Sequence, residues 1–201
     1  DGVARPPPPP TPVLEPSPHT LPPPAPGSQV LLVGGSFSLL NGTLPVRGVA
    51  SWTFGSDGGW ADVGGGVAGT VYKVYLHEGR LYAGGAFTTA GAPTPATEVR
   101  VNNIAYYDGV RWNALAGGVS GTVNAMVAYN GGLVVAGGFS HATALQTGSV
   151  AFWDGIQWSR LPNTGVTSWS SVYDLAVYGG ALYAAATASS CYTVEGACAS
   201  T

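Results

Sequence analysis

The chain has 201 residues, of which only 8% are charged, against about 25% in an ordinary soluble domain. Its formal net charge of −3 offers no electrostatic footprint for nucleic acid and no basic run to hold an anionic membrane. With 45% hydrophobic residues and 31 glycines it reads as a turn-rich, all-β chain able to bury one sizeable core. No apolar run approaches the ~20 residues of a bilayer-crossing helix. No charged-then-apolar leader opens the chain, so Asp1 reads as a mature or truncated start.

The first element, residues 1–27, is an arm. It holds twelve of the 16 prolines: Pro6, Pro7, Pro8, Pro9, Pro10, Pro12, Pro16, Pro18, Pro22, Pro23, Pro24 and Pro26. Proline fixes φ and donates no backbone hydrogen bond, so the segment is expected to be polyproline II without a core of its own. At about 3.1 Å per residue it would reach some 70–80 Å. The proline runs together with Thr11-Pro12 and Ser17-Pro18 resemble the extensin-like, hydroxyproline-rich glycoproteins of plants and green algae. That resemblance implies hydroxylation and O-glycosylation of these prolines.

From residue 28 to 201 the chain repeats itself. VLLVGGSF (30–37), LYAGGAF (81–87) and LVVAGGF (133–139) align on glycine pairs 34–35, 84–85 and 137–138, which are 50 and 53 residues apart. Each is followed by GVASWTF (48–54), NNIAYYDG (102–109) or SVAFWDG (149–155), and then by Trp60, Trp112 or Trp158. The units run at about 28–79, 80–131 and 132–180, with a partial fourth over 181–201. Each contains four short runs rich in Val, Tyr, Trp and Leu. Asp108-Gly109, Asn130-Gly131, Asp154-Gly155 and Gly179-Gly180 supply tight turns between them. Four antiparallel strands in about 50 residues is the size of a β-propeller blade, and no 3.6-residue periodicity is sustained. About 3.5 such units fall short of the ~4 blades a closed propeller needs. The expectation is a partial chain, with completion by other copies as the other reading.

The pattern GG-x-F, a loop, A-x-W/Y-D-G and W-x-x-L resembles kelch-like repeats of fungal cortical proteins. The resemblance runs over about 28–190 and is best in the second unit. The first unit departs from it at Ser56-Asp57-Gly58-Gly59. It implies a β-propeller and says little about activity, since one scaffold hosts many functions.

Cys191 and Cys198, six residues apart around Glu195-Gly196, can close a small local disulfide, which places the protein in an oxidising, extracellular compartment. Two free thiols or half a metal site are the other readings. Asn41-Gly42-Thr43 is an N-glycosylation sequon in a turn-forming loop. No catalytic or metal constellation is legible: His19, His77 and His141 share no ligand spacing, and Asp108 and Asp154 read as turn residues. No enzyme activity and no cofactor are expected. The glycine pairs let strands approach closely. Trp60, Trp112 and Trp158 recur and should pack between repeats, as should Trp52 and Trp153, whose place Tyr107 takes in the second unit. Trp169, in a small polar loop whose sister loops lack an aromatic, is either a local cover or an interface anchor.

Two functions fit. One is an extracellular structural glycoprotein of a wall, matrix or surface fibre, whose partners are its own copies and covalent glycans. It would self-assemble by docking the arm of one copy on the repeats of the next. The other is a monomeric secreted propeller that binds carbohydrate or protein on one variable face made by SLLNGTLPVRG, GAPTPATEVRV and HATALQTGS.

Overall fold

The computed structural model describes residues 29–55, 58–161 and 171–187. The arm, Trp169, Cys191 and Cys198 lie outside them. The described residues are strands and turns, with no helix. Branched and aromatic side chains suit a pleated, half-buried surface, and glycine turns cut the chain into strands.

The first sheet contains β1 (Val30–Gly34), β4 (Val49–Thr53) and β5 (Gly59–Asp62), with a small hairpin β2 (Leu39–Leu40) and β3 (Leu44–Pro45) in the β1–β4 connection. The second is built from β6 (Val67–His77), β7 (Arg80–Ala90), β9 (Ile104–Tyr107) and β10 (Trp112–Ala114), with β8 (Val99–Arg100) paired beside β7. The third repeats that order as β11 (Thr122–Tyr129), β12 (Gly132–Gly138), β15 (Val150–Trp153) and β16 (Trp158–Ser159). Its own β12–β15 connection carries the hairpin β13 (His141–Ala142) and β14 (Leu145–Gln146). His141 therefore sits in a two-residue strand rather than a loop, a pairing too short to show as alternation. The fourth sheet is described as β17 (Ser171–Tyr178) and β18 (Ala181–Thr187). All neighbouring strands are antiparallel.

Each sheet from the second onward begins with a hairpin closed by two residues in the left-handed region: Glu78-Gly79, Asn130-Gly131 and Gly179-Gly180. This turn twists with the strands it joins. The hairpin ties the run that ends one sequence unit to the run that opens the next, so the hydrogen-bonded sheets straddle the sequence periods. In all three, the leading strand slips register at an equivalent place, with Tyr72, Asn124 or Tyr173 as the extra residue, and β6 slips a second time between Val67 and Gly69.

The ladders also correct the alignment of the glycine pairs. Gly34, Gly84 and Ala136 are equivalent, facing Val49, Ile104 and Val150. The true counterparts of Gly35 and Gly85 are therefore Gly137, at spacings of 50 and 52 residues, not Gly138. The amides of Gly35, Gly85 and Gly137 donate to the carbonyls of Gly48, Asn103 and Ser149 at 2.9, 2.9 and 3.0 Å. A β-carbon on Gly85 or Gly137 would strike the carbonyl oxygen of Thr70 or Thr122 in the leading strand alongside. The close approach that favours glycine is thus inside the second and third hairpins; Ala186 stands at that position in the fourth. The residue before it faces the next sheet: a β-carbon on Gly34 would meet Val71 and Val74, and one on Gly84 would meet Val123 and Met126.

Alternation gives each sheet a rear face toward its predecessor and a front face toward its successor. Leu81 and Ala83 pack rearward with Val49 and Val63, whereas Tyr82 packs forward with Leu133 and Val135. Val134 and Ala136 pack forward with Val172, Leu175 and Leu182. Tryptophans stitch the seams from behind. The Trp112 indole donates to the Val63 carbonyl at 2.8 Å, and Trp158 donates to the equivalent Leu115 carbonyl at 3.1 Å. Each packs its tilted ring against its cross-strand neighbour, Tyr107 or Trp153, and Trp60 meets Trp52 edge-on.

Candidate functional site

The units differ at one dipeptide beside each seam: Arg47-Gly48, Asn102-Asn103 and Gly148-Ser149. At the second–third seam, Asn102 donates to the Gly117 carbonyl at 2.7 Å and Asn103 to the Val119 carbonyl at 3.0 Å, so two amides fill the gap. The first–second seam carries Arg47-Gly48 at the same place, because Arg47 and Asn102 offer equivalent carbonyls to Val67 and Val119 at 2.7 and 3.0 Å. Gly48 has no side chain to fill the seam. Beside it a cleft of about 400 Å³ opens at the root of the β2–β3 hairpin, lined by Ser36, Phe37, Ser38, Arg47, Ala68 and Thr70. Phe37 is half-buried there with its ring over Gly35, whereas its counterparts Phe87 and Phe139 are buried.

Arg47 does not lie free in the cleft. It donates to the Gly91 carbonyl at 2.8 Å, to Thr89 Oγ1 at 3.4 Å and to Glu98 Oε1 at 3.2 Å, and Thr89 donates to the same Glu98 oxygen at 3.0 Å. The latch ties the first sheet to the connection beyond β7 and neutralises the guanidinium. What lines the cleft is a phenyl ring, three hydroxyls and a compensated cation: a surface for an uncharged ligand that accepts hydrogen bonds.

Asn41 stands at the tip of the same hairpin. It has φ 49° and Gly42 has φ 70°, with the Thr43 amide closing the turn on Leu40 O at 3.1 Å. Asn41, Gly42 and Thr43 are all exposed, which is the access an N-glycan requires. The three loops expected to form one face are the equivalent connections β1–β4, β7–β9 and β12–β15, and the Arg47 latch joins the first two. Trp169, Cys191, Cys198 and the arm prolines have no place in this description.

The carboxylates of the Asp-Gly turns are spent on the fold. Asp108 Oδ1 accepts from the Val110 and Arg111 amides at 2.9 and 2.8 Å, and its Oδ2 accepts from Asn113 at 2.9 Å. Burial alone would raise its pKa, but the amides, Asn113 and the charge of Arg111 together outweigh that and hold it below the ordinary value. Asp154 repeats the device with Gln157 and Ile156, whose backbone amides lower its pKa. Among the described residues, no three of His, Cys, Asp and Glu cluster to hold a metal ion. His77 lies near the Tyr82 ring, and His141 Nδ1 shares a 2.8 Å hydrogen bond with Ser140. Burial, above all, raises the pKa of Tyr82, as it does that of Tyr107.

No protein-family model matches the chain, and a search of curated proteins returns no match. Arg47, Gly48 and Phe37 escaped sequence reading. The signal was present in the repeat itself, where RG stands at the place of NN.

Proposed function

We propose that the protein is an extracellular structural glycoprotein built on β-propeller-type repeats, which self-assembles by laying the proline-rich arm of one copy in the cleft of another. The propeller reading is supported by the convergence of the leading strands. Asn124 of β11 donates to the Val172 carbonyl of β17 at 2.8 Å, and Tyr75 of β6 accepts from the Ala128 amide of β11 at 3.0 Å. Strands that meet at one edge while their sheets fan outward are the pattern of blades around an axis.

The observation that carries the assembly reading is the cleft. A proline-rich segment has carbonyl acceptors and almost no amide donors, so it suits a site lined by hydroxyls and a phenyl ring. Polyproline II is already extended and loses little entropy on docking. Pro6 to Pro10 is an uncharged run, as a neutralised Arg47 favours. The exposed sequon at the hairpin tip supports the glycoprotein part.

Two changes test this: deletion of residues 1–27, and Gly48→Asn, which presses a side chain against Val67 and Gly69 of the cleft wall. Both should leave the repeats folded and abolish arm-dependent assembly in sedimentation velocity. Assembly unchanged in both variants would exclude the arm contact. The same cleft favours a second reading, a binding site for a neutral saccharide on a monomer. It would show as methyl-glycoside binding that Gly48→Asn removes, with a monomeric native chain.

A further inference from the structure

We propose that the protein has a second self-association surface, separate from the arm: the rear face of the first sheet in one copy packs on the front face of the fourth sheet in another. The inference rests on the self-assembling reading but uses neither the arm nor the cleft. It extends an interface that the chain already makes with itself. Rear faces pack on front faces at every seam between the four sheets, with a leucine of the second strand meeting the front residue of the sheet before it. Tyr82 shares a cluster with Leu133, and Val134 shares one with Leu182.

At the two outer faces the same positions lie open. Leu81 and Leu133 are 0% exposed, but their counterpart Leu31 is 47% exposed. Val134 and Tyr82 are 0% and 2% exposed, while Tyr183 in their position is 54% exposed. Tyr178 is 80% exposed, although its counterpart Tyr129 packs against the third–fourth cluster. Behind Leu31 the rear face continues with Val33 and the edge-on pair Trp52 and Trp60, and carries one carboxylate, Asp62, which accepts from the Gly65 amide at 2.6 Å. On the front face the carboxylate is Asp174, which accepts from the Leu175 amide at 2.9 Å. The two faces occupy the repeat positions that meet at each seam, and their exposed residues are mostly apolar, so the occupant is a second copy. Because the faces differ, the contact is head to tail and need not close, so it propagates as a filament.

The test uses the full chain with Leu31→Asp as the rear variant and Tyr183→Asp as the front variant. Both residues are exposed, so near-UV circular dichroism should match the native chain. Sedimentation velocity is run with excess free peptide of residues 1–27 to occupy the arm site. The native chain should still form concentration-dependent oligomers, and either variant alone should associate at least about tenfold more weakly. An equimolar mixture of the two should recover one intact contact per pair and stop at dimers. A native chain that the peptide alone reduces to monomers overturns this inference and leaves the arm contact standing. So does a mixture that never pairs. Oligomers that ignore the peptide but vanish in both variants remove the arm contact and keep the sheet faces. A native chain that is monomeric at every concentration overturns both.

Discussion

The first–second and second–third seams are the same device with one dipeptide exchanged. Asn102-Asn103 closes its seam with two short amide bonds to the connection beside it. Arg47-Gly48 leaves that gap open and reaches past it to Glu98 and Gly91. Both seams keep the indole-to-carbonyl bond and the small residue that receives the next sheet. The exchange costs the scaffold little, because sheet stacking rests on buried Val, Leu and Trp rather than on this dipeptide. Repeat positions hold the molecule together, and the dipeptide beside the seam is free to vary.

The largest effect expected from this contrast is at the seam tryptophans. Trp112→Ala removes a fully buried indole and one of the two hydrogen bonds to the Val63 carbonyl, and it should cost about 3–5 kcal/mol in urea unfolding. Trp60→Ala, at the same repeat position on a half-open face, should cost clearly less. Equal losses would mean that the first sheet's rear face is covered in the monomer.

Glycine substitutions come next. Gly85→Ala drives a β-carbon into the Thr70 carbonyl and should cost about 1–3 kcal/mol by overpacking. Gly84→Ala presses on the Val123 and Met126 side chains rather than on backbone, and Ala136 already stands at that position in the third sheet, so it should cost less. The reverse ranking would return the glycine alignment to the one read from sequence.

Asp108→Ala removes the acceptor of three hydrogen bonds, a loss of about 1–3 kcal/mol. The pKa of Asp108 is lowered in the folded state, so its contribution is complete above the ordinary carboxylate value of about 3.9. That contribution disappears as pH falls through the lowered native value. Native stability should therefore drop with acid below about pH 4, less steeply in Asp108→Asn. A drop on the alkaline side instead would refute the assignment.

The smallest effects are expected at the departing dipeptide. Arg47→Ala breaks a half-exposed latch and should cost about 0.2–1 kcal/mol. Gly48→Asn keeps a φ that Asn103 also adopts, 66° against 62°, but its β-carbon would stand 3.2 and 3.3 Å from the Gly69 and Gly35 carbonyl oxygens, so it should cost about 1 kcal/mol. A large loss in either variant would make the cleft a load-carrying joint and weaken its reading as a site.

Much of the architecture was legible along the chain because it is local. Alternating branched and aromatic runs define strands, and Asn130-Gly131 and Gly179-Gly180 carry the positive φ that a two-residue hairpin needs. Asp108 and Asp154 announce their turns by side-chain bonds to amides two and three residues ahead. The all-β class, the repeat and the exposed sequon at Asn41 follow from such short-range chemistry. The register slip at Tyr72, Asn124 and Tyr173 does not, because a bulge exists only relative to the partner strand. It decides that Gly137, not Gly138, matches Gly85. Front and rear faces are likewise undefined until sheets stack, which is why Leu31 and Leu81 look alike in sequence and differ in exposure by nearly half their surface. The cleft belongs to the same class: Gly48 is an ordinary glycine until the fold sets it beside the cleft.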